Sequence, residues 1–241
     1  MKVNIVHLNP QGKENIVEVA DMFSKDIGPL KFELLEEISY SEYFQFHKSL
    51  KKISLNDLNI LCDKIREDFG LTNNEYVVIV SSKSLETPSV NFQSPKDWYS
   101  FHYHRNVIVK SGGWERITEG KPYLGIAHQI IENLFQNLGK FDLYSIKFKD
   151  WIHQESEVCI NDFCEKPNET KGKIRSGYIC QSCIQSALDF TSNDYIIQVK
   201  NILSRISNRL RENYVFDFTN EQLRVEVSED YSISIGGQSI D

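Results

Sequence analysis

The sequence predicts an α/β fold, a mixed sheet with flanking helices, and three observations carry that prediction. Apolar segments of strand character alternate with segments of helical period through the first third of the chain. Residues Tyr76 to Val80 (YVVIV) are apolar without interruption, the pattern of a strand covered on both faces. The segments of helical period stop at glycines, which mark where the chain leaves the helix.

In order, residues 3 to 8 (VNIVHL) read as a strand, and residues 13 to 27 as a helix with Ile16, Ala20, Phe23 and Ile27 on one side, closed by Gly28-Pro29. Residues 31 to 38 read as a second strand. Ser54 is an N-cap with Asp57 three residues on, opening a helix that places Leu58, Cys62, Ile65 and Phe69 on one face and ends at Gly70. Cys62 is therefore expected to be a packed core thiol. With Tyr76 to Val80 the order becomes β-α-β-α-β. Trp98 to Lys110 reads as one further strand, on which His102 and His104 share a face, and Ser111-Gly112-Gly113-Trp114 as the loop that leaves it. Residues 121 to 138 form a third helix, with Pro122 in its first turn and Gly139 beyond its end. Residues 142 to 148 are a candidate strand, the basic stretch Lys166 to Arg175 a solvated loop, and residues 194 to 213 a long helix striped by Val199, Ile202, Ile206 and Leu210. The closing LRVEVSEDYSISIGGQ alternates with period two and reads as a hairpin. The expected division is an α/β domain over 1–190 and a helix-and-hairpin appendage over 191–241.

The 241 residues, 40% of them hydrophobic and 25% charged, have the balance of a globular protein with room for a full core. A net charge of −7 argues against a general nucleic-acid surface, because such affinity comes from neutralising phosphates with Lys and Arg. No apolar run approaches the roughly 18–20 residues of a membrane helix, and the N-terminus lacks the pattern of a signal peptide, so a cytoplasmic address and no membrane or direct nucleic-acid contact are expected. Glycine-rich phosphate loops and the G-x-S-x-G nucleophile turn are missing.

The cysteines are the most specific signal. Cys159-x4-Cys164 and Cys180-x2-Cys183 are two chelating pairs fifteen residues apart, and an odd total of five suits metal binding better than disulfides. Four thiolates fill a tetrahedron around one zinc ion and leave no position for substrate, so the expected zinc is structural.

The element order, the histidine-bearing helix and the C-x4-C and C-x-x-C pairs together resemble the archaemetzincins, metallopeptidase-like proteins of the metzincin group. The resemblance covers roughly residues 1 to 190 and implies a metzincin-like fold with a four-cysteine zinc ribbon. It also implies a catalytic helix carrying H-E-x-x-H-x-x-G-x-x-H, where two histidines one turn apart bind zinc and the glutamate acts as base. Here the matching stretch runs from His128 to Leu138 and keeps only the first position. Gln129 stands at the base, Glu132 at the second ligand, Phe135 at the glycine and Leu138 at the third histidine. An amide cannot take a proton from water at neutral pH, so the expectation is an inactive, zinc-binding metalloprotease-like module for a protein or peptide partner. The competing expectation is a hydrolase whose metal shell is rebuilt from His128 and Glu132 with His153, or with His102 and His104, as further candidates. His7 and His47 have no partner legible in the sequence. The terminal strands also resemble those that begin a winged-helix domain of the response-regulator type, which would make this chain the front part of a regulator.

Overall fold

The computed structural model describes residues 1–9, 12–36, 41–86, 99–140, 152–153, 157–164, 167–212, 225–227, 233–235 and 238–240. The uninterrupted apolar run becomes β4 (Tyr76–Ser81), the middle one of the five described strands of the sheet, with all six residues buried. On one side it pairs in parallel with β1 (Lys2–His7), which pairs in parallel with β2 (Lys31–Leu34). On the other it pairs in parallel with β7 (Asn106–Lys110), and the terminal strand β6 (Ser100–Tyr103) runs antiparallel to β7. The sheet is mixed, in the order β2-β1-β4-β7-β6.

Because alternate residues of a strand point to opposite faces, β4 divides its side chains between two cores. Tyr76, Val78 and Val80 join Val3 and Ile5 of β1 in the larger one, against helices α1 (Lys13–Ser24) and α4 (Pro122–Leu138). Val77 and Ile79 join Val6, Phe101 and Ile108 in the other, against α2 (Glu42–Ser49) and α3 (Leu55–Phe69). Cys62 is fully buried there, as its place on the apolar face of α3 requires. The capping box of α3 is complete, with Ser54 Oγ accepting from Asp57 N and Asp57 Oδ2 from Ser54 N, and Gly70 closes the helix in the left-handed conformation. A two-residue parallel pair, β3 (Lys52–Ile53) with β5 (Ser84–Leu85), lies beside this face. Helix α2 and this pair were not legible in the sequence, because eight residues rich in aromatics carry strand propensity as readily as helix propensity.

Trp98 to Lys110 is not one strand. The described part is a hairpin, turning at His104, whose φ is 50°, so His102 is buried on β6 while His104 is exposed in the turn. The expected pairing of these two histidines on one face is therefore corrected. The candidate strand over 142–148 lies outside the described residues.

Helix α5 (Pro167–Ser176) replaces the expected solvated loop, and α6 (Gln181–Leu188) follows. The long helix α7 (Asn193–Arg211) inserts Tyr195, Val199, Ile202, Ile206 and Leu210 into the larger core. It is pinned there by Gln198, fully buried, which accepts from Leu30 N at 2.8 Å and donates to Leu30 O at 2.9 Å. The compact units accordingly divide at Leu210/Arg211, rather than at 190/191, since α7's apolar stripe belongs to the first. In the second unit, β8 (Val225–Val227), β9 (Ile233–Ile235) and β10 (Gln238–Ile240) form an antiparallel sheet in the order β10-β9-β8, one strand more than the expected hairpin.

Candidate metal centre and the helix beside it

Cys180 is the N-cap of α6 and Cys183 lies in its first turn, so the two sulfurs sit at the helix start, where Cys183 N donates to Cys180 Sγ at 3.4 Å. The Cys159 segment runs alongside, with Ile160 N on Tyr178 O at 2.9 Å and Cys180 N on Cys159 Sγ at 3.3 Å. His153 completes the group. Its Nδ1 meets the fully buried Asp162 carboxylate at 2.9 Å, which turns Nε2 toward Cys180 Sγ at 3.6 Å and Cys183 Sγ at 3.5 Å.

The donor atoms of His153, Cys159, Cys180 and Cys183 all lie within 4.8 Å of one another. A tetrahedron built on Zn–S of about 2.3 Å and Zn–N of about 2.0 Å has edges of roughly 3.5–3.8 Å, close to the nitrogen–sulfur distances found. An Asp–His–metal relay is the usual device for fixing the tautomer of a ligating imidazole. Backbone N–H groups and Asn161 Nδ2, which donates to Cys183 Sγ at 3.2 Å, supply the hydrogen bonds that thiolates require. The Cys183 thiol donates to Cys159 and holds the latter's pKa down to about 6, while Cys183 itself is pushed up. Chemistry and geometry together support Zn2+ at this set of one nitrogen and three sulfurs.

The expected four-cysteine set is corrected at one position. Cys164 is outside the group; its Sγ approaches Asp162 O at 3.8 Å, and burial pushes its thiol pKa up. The cause is the short loop from Cys159 to Cys164, whose carbonyls at Ile160 and Asp162 are turned to a lysine of α5. His153 enters because it bridges to Asp162 as a short parallel pair. The H-x5-C spacing and the aspartate three residues past Cys159 were the signals available for it in the sequence.

The helix bearing the degenerate motif lies next to this loop. His128, Gln129 and Glu132 are all buried on α4. Glu132 Oε1 accepts from Lys173 Nζ at 2.9 Å, and Glu132 Oε2 accepts from Gln129 Nε2 at 2.8 Å. Lys173, 4% exposed, gives its remaining ammonium hydrogens to Asp162 O at 3.0 Å and Ile160 O at 3.4 Å, so all three donors are used. Burial works against its charge, but Glu132 and its neighbours outweigh burial and hold its pKa above the ordinary lysine value. Burial drives His128 down to about 3, so it is neutral; its Nδ1 lies 3.5 Å from Glu132 Oε2 and makes no hydrogen bond.

Strand β6, terminal among the described strands of the sheet, is tied to the same helix. Ser100 Oγ donates to Gln129 Oε1 at 2.5 Å and accepts from Asn133 Nδ2 at 2.7 Å, while His102 Nδ1 meets Asn133 Oδ1 at 3.0 Å. On α4, therefore, the Glu132 carboxylate is paired with a buried ammonium, and Gln129 is an amide bonded to Ser100. Of the other histidines considered for a rebuilt shell, His153 faces the sulfurs, His102 meets Asn133, and His104 is exposed in the turn between β6 and β7. His47 Nε2 pairs with Ser81 Oγ at 2.8 Å and is held down to about 4 by burial, and His7 is buried with an unpartnered Nε2.

No protein-family model and no curated protein matches the chain. Among solved structures, an archaemetzincin from Methanopyrus kandleri matches at 17% identity and a TM-score of 0.46, over 78% of this chain and 94% of that one. A zinc-dependent peptidase from Methanocorpusculum labreanum matches at 12% identity and a TM-score of 0.52, over 77% of this chain and 99% of that one. The second likeness shows the fold, and the expectation of a metallopeptidase-like α/β scaffold holds at that level.

Proposed function

We propose that this chain is a zinc-binding protein on a metallopeptidase scaffold in which a buried lysine has replaced the hydrolytic metal, and that it acts by binding a protein or peptide. The observation that carries the reading is Lys173 Nζ on Glu132 Oε1 at 2.9 Å, both side chains buried. An ammonium with three spent donors supplies the positive charge that a metal ion would bring to Glu132, but it has no open coordination position to activate water. Gln129 cannot serve as a base. The zinc at His153, Cys159, Cys180 and Cys183 has a closed shell and holds the loop that positions Lys173.

The binding part of the proposal is supported by β6, the terminal strand of the sheet among the described residues, since the outer edge of such a strand is the kind of template on which extended peptides add a strand. The test is to incubate the zinc-loaded chain with a mixture of unstructured peptides and follow both cleavage and amide exchange. No cleavage, with slowed exchange in β6, is the expected result. Cleavage that disappears in a His128→Ala variant would overturn the proposal.

A further inference from the structure

At the amino ends of β4 and β7, away from the sulfur cluster in sequence, the structure has an open cavity of about 970 Å3. That is the upper part of the usual range, roughly 300–1,000 Å3, for small-molecule sites. Among the described residues, its lining carries three cations, Arg66, Arg105 and Lys140, against one carboxylate, Asp63. In a chain of net charge −7 this is a local inversion of sign, and a concave wall concentrates such a field.

The cations are not spent on one another's neighbours. Arg105 is set in place by a backbone bond, Nη1 to Asn74 O at 2.8 Å, and by the Tyr76 ring 5.2 Å beneath it, and neither contact neutralises its charge. Lys140 is exposed and has no carboxylate partner among the described residues. Arg66 is 8% exposed; its Nη2 donates to Glu75 O at 3.3 Å, its nearest carboxylate is Asp63 at 3.7 Å, itself mostly in solvent, and its Nε–H has no hydrogen-bond partner. A buried guanidinium so weakly compensated calls for negative charge nearby. The guanidinium fork of Arg105 matches the oxygens of a phosphate or carboxylate, and Lys140 adds a mobile point charge at the mouth.

We propose that this cavity binds a small organic oxyanion, a molecule bearing a phosphate or carboxylate group, through Arg105 and Lys140. The proposal rests on the cations and not on peptide binding, although His102 and Tyr103 of β6 share the lining.

The test is calorimetric titration of inorganic phosphate, and separately of succinate, into the full zinc-loaded chain at constant ionic strength set with sodium chloride. Saturable binding of at least one probe is expected, weakened about tenfold in Arg105→Gln and in Lys140→Gln. Phosphate alone binding identifies a phosphate-bearing ligand, and succinate alone a carboxylate. Lys140→Gln alters only an exposed side chain and so decides the matter even if Arg105→Gln disturbs the fold. Absence of saturable binding for both probes, or an affinity unchanged in Lys140→Gln, overturns the proposal.

Discussion

Lys173 shows why a residue's role can be invisible in sequence. It stands in a basic stretch that reads as solvated, yet its ammonium is buried against Glu132, a residue forty-one positions away. Removing one partner of such a pair leaves a buried charge uncompensated, so Lys173→Met is expected to cost about 3–5 kcal/mol in urea unfolding. The double variant Lys173→Met with Glu132→Leu should recover most of that loss, because an apolar pair of similar volume has no charge to desolvate. A double variant no more stable than the single one would show that the pair is not the source. His128 makes a prediction for pH. Its folded pKa of about 3 lies below the ordinary 6.5, so the unfolded chain binds the proton first as pH falls. Stability from this residue is therefore present above pH 6.5 and is lost as the pH descends toward 3, with stability rising with pH in between. The urea midpoint should fall less steeply between about pH 6.5 and about pH 4 in His128→Leu than in the parent.

At the scale of elements, legibility followed local physics. The strand at β4, the capping box of α3, the proline-started α4 and the stripe of α7 were all readable because their signals lie within a few residues of one another. The hairpin at His104 was not, since a non-glycine residue at positive φ leaves no mark in a run of aromatic and β-branched neighbours. The same holds for α5, whose apolar content is too small to set a period. Packing also explains Gly125 in the middle of α4: a Cβ there would stand 2.3 Å from Cε3 of the fully buried Trp114. Gly125→Ala is therefore expected to destabilise by about 1–3 kcal/mol in thermal or chemical unfolding, despite alanine's better helix propensity. Gly112→Ala, where nothing lies within 4 Å of the added carbon, serves as the control and should be near neutral.

For the whole molecule, the zinc set and the polar centre on α4 meet in one short loop. Ile160 and Asp162 offer their carbonyls to Lys173, the Asp162 carboxylate orients His153, and Cys159 contributes a sulfur. Three of the four residues in this cluster were grouped in advance by cysteine spacing; that His153 and not Cys164 joins them depends on this tertiary arrangement. Cys164→Ser should consequently retain zinc and stability, whereas Cys183→Ser should lose both, because structural zinc contributes directly to folding. The central claim is that the scaffold carries its zinc at His153 and the three cysteines and has a lysine where a hydrolytic metal would sit. The most direct measurement is zinc per chain by elemental analysis, on protein purified without added metal, in the parent and in His128→Ala. One equivalent, unchanged by the substitution, is the predicted result; two equivalents falling to one in His128→Ala would contradict it.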